Sequence, residues 1–322
     1  MSTARTLSFA EAATDALAGA MATDPRIVVL GEDVGRGGVF NQYAGLQQRF
    51  GAARVIDTPI SEATLVGAGL GMALAGLKPV VELRVVDFAL CAIDEIVNQA
   101  AKNRYMFGGQ KPVPMLLRMP IGIWDAAAAQ HSQSFESWFA HVPGLVVVCP
   151  STPHDVHGLL RSALASDDPV VFMEHKASWG QRGEVDATQT VPLGVSVVRR
   201  AGRQLTIVSW SRQTQLCAQA CEQLAARGVD AELIDLRTIW PWDRDAVLAS
   251  LRRTGALLVV HEAVQVAGFG AEVAATAAQA TGCRIARLGA PRIHVGFAPQ
   301  LEAVMRIRPQ DIAEAAMAMF AR

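Results

Sequence analysis

Three short segments of the chain hold residue types that can give or take a proton: Gly31-Glu32-Asp33, Asp57-Thr58-Pro59-Ile60-Ser61-Glu62 and Gln130-His131-Ser132-Gln133. Carboxyl and imidazole groups act in this way when their surroundings tune them to the working pH. Each also has an ordinary structural reading. Glu62 opens a long apolar helical pattern, where the positive end of the helix dipole favours a carboxylate without any chemistry. Glu32 follows an apolar run in an acidic turn and reads first as a solvated loop carboxylate, with a functional role second. His131 lies in a polar island, AAAQHSQSF, flanked by Gln130 and Gln133. Spacing alone leaves each residue between the two roles.

The elements that would position these segments show as an alternation of β-branched runs and helical patterns, the mark of an α/β fold with largely parallel sheets. Strands are expected at Ile27–Leu30, Arg54–Ile56, Pro79–Leu83, Val113–Arg118, Leu145–Cys149 and Val170–Glu174. Helices are expected at Phe9–Met21, Glu62–Leu77, Ala89–Tyr105 and His154–Ala165. In the second half, strands are expected at Leu205–Trp210, Ala231–Leu236, Leu257–His261 and Arg284–Leu288, with helices at Gln213–Arg227, Asp243–Arg252, Ala271–Thr281 and Pro309–Phe320. The polar stretch WGQRGEVDATQTVPLG, inside Trp179–Arg203, separates two expected domains at residues 1–185 and 195–322. The three polar segments follow the first, second and fourth strands, and ligands of open parallel sheets gather beyond strand carboxyl ends.

Of the 322 residues, 51% are apolar and 18% charged, enough to build the cores of two ordinary domains. A formal net charge of -1 gives no electrostatic reason to expect nucleic acid or an anionic membrane as partner. The start, Met1–Ala10, lacks a charged segment followed by an apolar run, and the uncharged stretch Ala63–Leu77 is Gly-rich and too short for a bilayer. A cytoplasmic protein is expected. Cys91, Cys149, Cys217, Cys221 and Cys283 are odd in number and form no CxxC pair, so they read as buried thiols of a reducing compartment.

Other motifs mislead. Gly67-Ala68-Gly69-Leu70-Gly71-Met72 resembles a dinucleotide fingerprint, but its glycines are misplaced and fall within a helix, where close packing explains them better. His154 and His157 have a metal-compatible spacing without further ligands and are expected on a helix surface. Gly268-Phe269-Gly270 is expected as a helix-start turn rather than an anion site, and Asp235-Leu236-Arg237-Thr238 as a structural ion pair.

Seven segments in order carry a resemblance over nearly the whole chain: LGEDVGRGGVF (Leu30–Phe40), RVIDTPISE (Arg54–Glu62), NQAAKNRYMFGG (Asn98–Gly109), AAQHSQS (Ala128–Ser134), VPGLVVVCPSTPHDVHGLL (Val142–Leu160), ELIDLRTIWPWD (Glu232–Asp243) and LLVVHEAVQVAGFGAE (Leu257–Glu272). The chain resembles the beta subunits of thiamine-diphosphate-dependent 2-oxo acid dehydrogenases. The resemblance implies a transketolase-like pyrimidine-binding domain followed by a transketolase C-terminal α/β domain. It implies an alpha2beta2 heterotetramer, with thiamine diphosphate and magnesium held between alpha and beta subunits. The GDG and paired-asparagine motif that grips magnesium and diphosphate belongs to the alpha subunit, and this chain has neither GDG nor adjacent asparagines.

By the same resemblance, Glu62 shares a proton with the pyrimidine ring, which requires burial to raise its pKa. Phe88 packs on the pyrimidine, and Glu32 joins an acidic path between active sites. His131 donates a proton as the acyl group passes to the lipoyl domain of an acyltransferase component. A potassium loop at Ala163, Leu164, Ser166 and Asp168 is also implied. The substrate would be pyruvate or a branched-chain 2-oxo acid, with oxidative decarboxylation and acyl transfer to lipoyl protein. YMFGG, VCPSTP and EHK lean instead towards acetoin-cleaving relatives.

Three segments depart from the family pattern: Ile123–Ala128 where glycines are usual, Arg84 with Val85 and Val86 near the cofactor, and Ala290–Gly296 without the usual aspartate and proline. The rival readings from other classes are a non-catalytic α/β interaction subunit and a Rossmann dehydrogenase. Joint retention of Glu32, Glu62, Phe88 and His131 argues against the first, and the missing fingerprint against the second.

Overall fold

The apolar runs fold as strands of parallel sheets, because segments covered on both faces read as continuous hydrophobic stretches rather than as alternation. The computed structural model describes residues 4–320 and divides into two compact units. One runs to Ile121 and resumes over Trp138–Leu193; the other comprises Gly122–Ser137 and the chain from Gly194 onwards. Residues 122–137, which the sequence pattern leaves in the first half, therefore belong with the second unit.

The first unit is built from β1 (Arg5–Ser8), α1 (Phe9–Thr23), β2 (Ile27–Gly31), α2 (Leu46–Phe50), β3 (Val55–Asp57), α3 (Glu62–Leu74), β4 (Lys78–Glu82), α4 (Ala101–Met106) and β5 (Leu116–Arg118). After α5 (Glu136–Ala140) come β6 (Val146–Val148), α6 (Pro153–Leu164), β7 (Val170–Phe172) and β8 (Arg182–Val185). Its main strands run in the order β6-β7-β5-β4-β2-β3, all neighbours parallel. Helices start where local chemistry dictates. Ser8 and Glu11 form a capping box on α1, and Thr152 caps α6 ahead of Pro153. These helices pack Phe9, Leu17, Val156 and Leu160 into the core beneath the sheet.

The second unit holds β9 (Val197–Arg200), β10 (Leu205–Ser209), α7 (Gln213–Ala226), β11 (Ala231–Asp235), β12 (Thr238–Trp240), α8 (Arg244–Thr254), β13 (Ala256–Val264), α9 (Gly270–Thr281), β14 (Arg284–Ala290), α10 (Pro299–Ala303) and α11 (Pro309–Ala318). Its sheet runs β14-β13-β10-β11-β9, parallel except for the antiparallel edge strand β9.

Several expectations need correction. The helix expected over Ala89–Tyr105 is a 3-10 turn (Val86–Ala92), a π-helical turn (Glu95–Ala100) and the short α4. The polar stretch between domains contains two edge strands, β8 against β1 and β9 against β11. His157 is no surface residue: it is buried and its Nε2 lies 3.2 Å from Asp15 Oδ2. Asp235 does form an ion pair, with Arg199 at 2.8 Å, while Arg237 turns its guanidinium to the carbonyls of Val195 and Ser196. Cys91 is exposed, whereas Cys149, Cys217 and Cys221 are buried.

The α3 glycines have two different reasons. A Cβ on Gly69 would fall 2.5 Å from Val81 Cγ2 and 2.9 Å from Met115 Cε, whereas one on Gly71 meets nothing within 4 Å. Gly69 is a packing requirement and Gly71 only a flexible helix position. We expect Gly69→Ala to lower stability by about 1–3 kcal/mol through overpacking. Gly71→Ala should raise it by about 1 kcal/mol through helix propensity. Urea denaturation of the two variants checks both signs.

Candidate active site

The carboxyl ends of β2, β3 and β4 lie in one register, with Gly31 opposite both Asp57 and Glu82. Just beyond that edge come Glu32, Glu62 in the first turn of α3, and the 3-10 turn that carries Phe88. α3 packs against this turn. Three of the four expected site residues thus issue from one sheet edge. His131 does not; it is exposed at the end of the 3-10 turn Ala129–His131, in the second unit.

Glu62 is half-buried, and its carboxylate makes no hydrogen bond or ion pair among the described residues. Ser61 leaves α3 without a side-chain cap and donates its hydroxyl to Thr64 Oγ1 at 2.8 Å. On the same turn the Thr58 hydroxyl is buried without a partner. Buried polar groups are normally satisfied, so open ones at a strand's carboxyl end mark a place for a polar ligand. Glu32 is occupied instead. Arg84 Nη1 donates to Glu32 Oε1 at 3.0 Å and lies 3.6 Å from Asp33 Oδ2. The departure from the family pattern at Arg84 is therefore a local counter-ion for the acidic turn. Phe88 is half-buried beside the exposed Leu90.

Beneath this edge lies a charged cluster that hydrophobic patterning did not single out. β4 ends in Glu82, β5 ends in Arg118, and Glu174 follows β7 by two residues; all three are buried. Arg118 forks onto Glu174 through Nε at 2.8 Å and Nη2 at 2.5 Å, and its guanidinium sits 4.7 Å from the Tyr43 ring centre. The Tyr43 hydroxyl donates to Glu82 Oε2, and Gln42 Nε2 donates to Glu82 Oε1 at 3.1 Å. One guanidinium thus faces two carboxylates. Burial pushes the Glu82 carboxyl up to about 7 despite Arg118, and burial also raises Glu174 and Tyr43. The only sequence signal was a charged residue closing each apolar strand, which alternation patterns treat as noise.

The expected potassium loop closes α6 and leads into β7. Lys78 Nζ already donates to the Leu164 carbonyl at 3.0 Å, and Arg104 Nη1 holds the Asp168 carboxylate at 2.7 Å. The Ser166 hydroxyl bonds the Asp168 carbonyl at 3.0 Å, and the Ala163 carbonyl accepts from Ser166 N at 3.1 Å. Each of these carbonyls accepts one protein hydrogen bond and keeps a second lone pair, and no step is assigned to potassium. Among the described residues, no group of three or more His, Cys, Asp or Glu could hold a metal.

Two family profiles match the chain in sequence order: "Transketolase, pyrimidine binding domain" over residues 5–181 and "Transketolase, C-terminal domain" over residues 194–312. Acetoin:2,6-dichlorophenolindophenol oxidoreductase subunit beta of Cupriavidus necator is 40% identical, over 97% of each chain. The 2-oxoisovalerate dehydrogenase subunit beta of Bacillus subtilis is 39% identical, also over 97% of each. This chain belongs to the 2-oxo acid and acetoin dehydrogenase beta subunits. A mitochondrial pyruvate dehydrogenase beta subunit of Arabidopsis thaliana is 37% identical to this family member, over 97% of this chain and 89% of its own. A split-gene transketolase, an inactive beta4 tetramer, matches with a TM-score of 0.83 over 97% of this chain and 98% of its own, and at 20% identity it supports the fold alone. The transketolase domains of this beta subunit imply a thiamine-diphosphate-dependent family. At this edge the Thr58 hydroxyl is the buried polar atom left for a ligand, and Glu62, in the first turn of α3, and Phe88, on the turn that α3 packs against, are both half-buried.

The Glu82 cluster makes the stability of this beta subunit pH-dependent. Between its ordinary value of 4.5 and about 7, Glu82 holds a proton in the folded chain but not in the unfolded one. The stability carried by the protonated carboxyl is full below the lower value and is lost as pH rises through the upper, by about 3 kcal/mol. Chemical denaturation from about pH 5 to 8 should show this fall, and Glu82→Gln should flatten it. An unchanged slope in the variant would place the proton on another group.

Proposed function

We propose that this chain supplies the pyrimidine side of a thiamine-diphosphate site completed by an alpha subunit in an alpha2beta2 heterotetramer. The assembled enzyme would oxidatively decarboxylate pyruvate or a branched-chain 2-oxo acid and pass the acyl group to the lipoyl domain of an acyltransferase component. The observation that carries this reading is the half-buried Glu62 in the first turn of α3, four residues after the orphaned Thr58 hydroxyl at the carboxyl end of β3.

When bound, thiamine diphosphate supplies the electron sink that decarboxylation of a 2-oxo acid needs. The chain's own residues hold and move protons around it. Glu62 stands in the first turn of α3. Covering by a partner would remove water and favour the protonated form, so that the carboxyl can share its proton with a ring nitrogen. Phe88 would give the ring an apolar face. Glu32, tied to Arg84 at 3.0 Å, would keep an acidic path beside the site in fixed orientation. His131, exposed on its turn, would meet an incoming lipoyl arm and donate a proton as the acyl group transfers. Magnesium would be bound mainly by the alpha subunit.

Acetoin cleavage is the second reading, favoured by acetoin-oxidoreductase beta subunits of two bacteria at 40% and 39% identity. Substrate assays on the assembled tetramer with pyruvate, branched-chain 2-oxo acids and acetoin separate the two. We assign the protein to the cytoplasm, and no helix among the described residues is long and apolar enough to cross a membrane.

Glu62→Gln should slow turnover of the assembled protein by about 10²–10⁴-fold, the scale for a positioned acid or base. Near-normal turnover would leave Glu62 only its helix-dipole role. His131→Ala should depress transfer to lipoyl protein more than decarboxylation coupled to an artificial electron acceptor. Equal losses in the two assays would remove His131 from the transfer step.

A further inference from the structure

The segment Gly122–Ser137 that carries His131 has an unusual backbone. Ala126 and Ala128 both adopt positive φ, at 53° and 58°, and Ala128 combines its φ with a ψ of -162°. That last region is populated almost only by glycine, and a Cβ there is strained. These alanines stand where the resemblance leads one to expect glycines. A strained loop persists only when its surroundings over-determine it.

The second unit does this at both ends of the loop. At the entry, Glu262 Oε1 accepts the Ile123 N–H at 2.7 Å, and the Ile123 side chain packs with Ala290, Val295 and Met305. At the strained turn, Glu302 Oε2 accepts the Ala126 N–H at 2.8 Å. Glu302 is itself buried and fixed by Arg306, through Nη2 at 2.5 Å and Nε at 2.9 Å. At the exit, Trp210 Nε1 donates to the buried Glu136 Oε1 at 3.0 Å, and Gly122 N–H closes the neck onto the Gln133 carbonyl at 3.0 Å. Trp210 is held by stacking on His261, with ring centres 5.2 Å apart. A Cβ on Gly268, Gly270 or Gly289 would come within 2.5, 2.8 or 2.9 Å of the His261 ring. The glycines of the GFG turn are therefore there to admit this imidazole. His261 and Glu262, adjacent on β13, secure the two ends of one loop.

We infer that Glu262 and Glu302 are positioning residues for His131, holding its loop in a strained conformation by accepting the Ile123 and Ala126 amides. The inference rests on the reading of His131 as the acyl-transfer acid. A hydrogen bond to a charged group is worth about tenfold or more in the population of the conformation it holds.

The test uses the full chain assembled with its alpha subunit, and two readouts. In hydrogen exchange, the wild-type Ala126 amide should be protected although its residue is exposed. Glu302→Ala should remove that protection and Glu302→Gln, which keeps an acceptor, should retain it. In activity, Glu302→Ala should lower transfer to a lipoyl domain by about tenfold while turnover with an artificial electron acceptor stays within about twofold. Rapid wild-type exchange at Ala126, or equal loss in both assays, overturns the inference. Loss of protection in Glu302→Ala with retention in Glu302→Gln upholds the positioning role even if no acyl transfer is found. In that case only the catalytic reading of His131 falls.

Discussion

The buried Arg118 guanidinium is the constraint on which the first unit's functional edge depends. A charge removed from water costs several kcal/mol unless it is paired and hydrogen-bonded. Arg118 meets that condition at the carboxyl end of β5 by forking onto Glu174 and facing the Tyr43 ring. Its field also lets a second carboxylate, Glu82, sit in the same dry layer with Tyr43 and Gln42 as donors. Those donors belong to the loop that follows the acidic turn, so the buried charge sets the course of that loop. Gly31 follows from the same constraint, since a Cβ there would stand 2.8 Å from Glu82 Cβ.

Above this layer, in which Arg118 Nη1 is itself buried without a hydrogen-bond partner, the edge is uneven. Glu32 has Arg84, and Asp57 accepts the Gly35 N–H at 2.7 Å, yet Glu62 and Thr58 are left open. Fully paired polar groups give rigidity, whereas open ones retain the capacity to bind. The contrast on one short stretch of backbone separates paired from unpaired polar groups more sharply than residue type does. A carboxylate alone would not distinguish Glu32 from Glu62; its partners do.

Much of this was legible in the sequence. Long apolar runs such as Ile27–Leu30 and Leu205–Trp210 became strands β2 and β10, because burial on both faces leaves a continuous signal. The loops bearing Glu32, Glu62 and His131 were found as polar interruptions after such runs. Edge strands β8 and β9 were not, since their half-exposed residues show neither alternation nor a run. The region after β4 reads as one helix because its apolar residues recur suitably, but the backbone winds through 3-10 and π turns that the same residues satisfy equally well. The Arg118 cluster escaped for a different reason. Pairings between β4, β5 and β7 join residues far apart in sequence, and nothing local announces them. His157 escaped likewise, its partner Asp15 being 142 residues away.

The absence of glycine from Ile123–Ala128, ahead of His131, finds its explanation in the second unit. Glycines would reach the required backbone angles without strain but would leave the loop many other conformations, at an entropic cost on ordering. Alanines narrow the choice while making the needed geometry unfavourable by itself. Carboxylates on the Ile123 and Ala126 amides reverse that preference and single out one shape. A loop of this kind is pre-organised by its scaffold instead of being flexible by composition, and a pre-organised loop loses less freedom when a partner arrives. The departure from the family pattern at Ile123–Ala128 and the carboxylates of β13 and α10 are thus two halves of one solution. Neither half is intelligible from its own stretch of sequence.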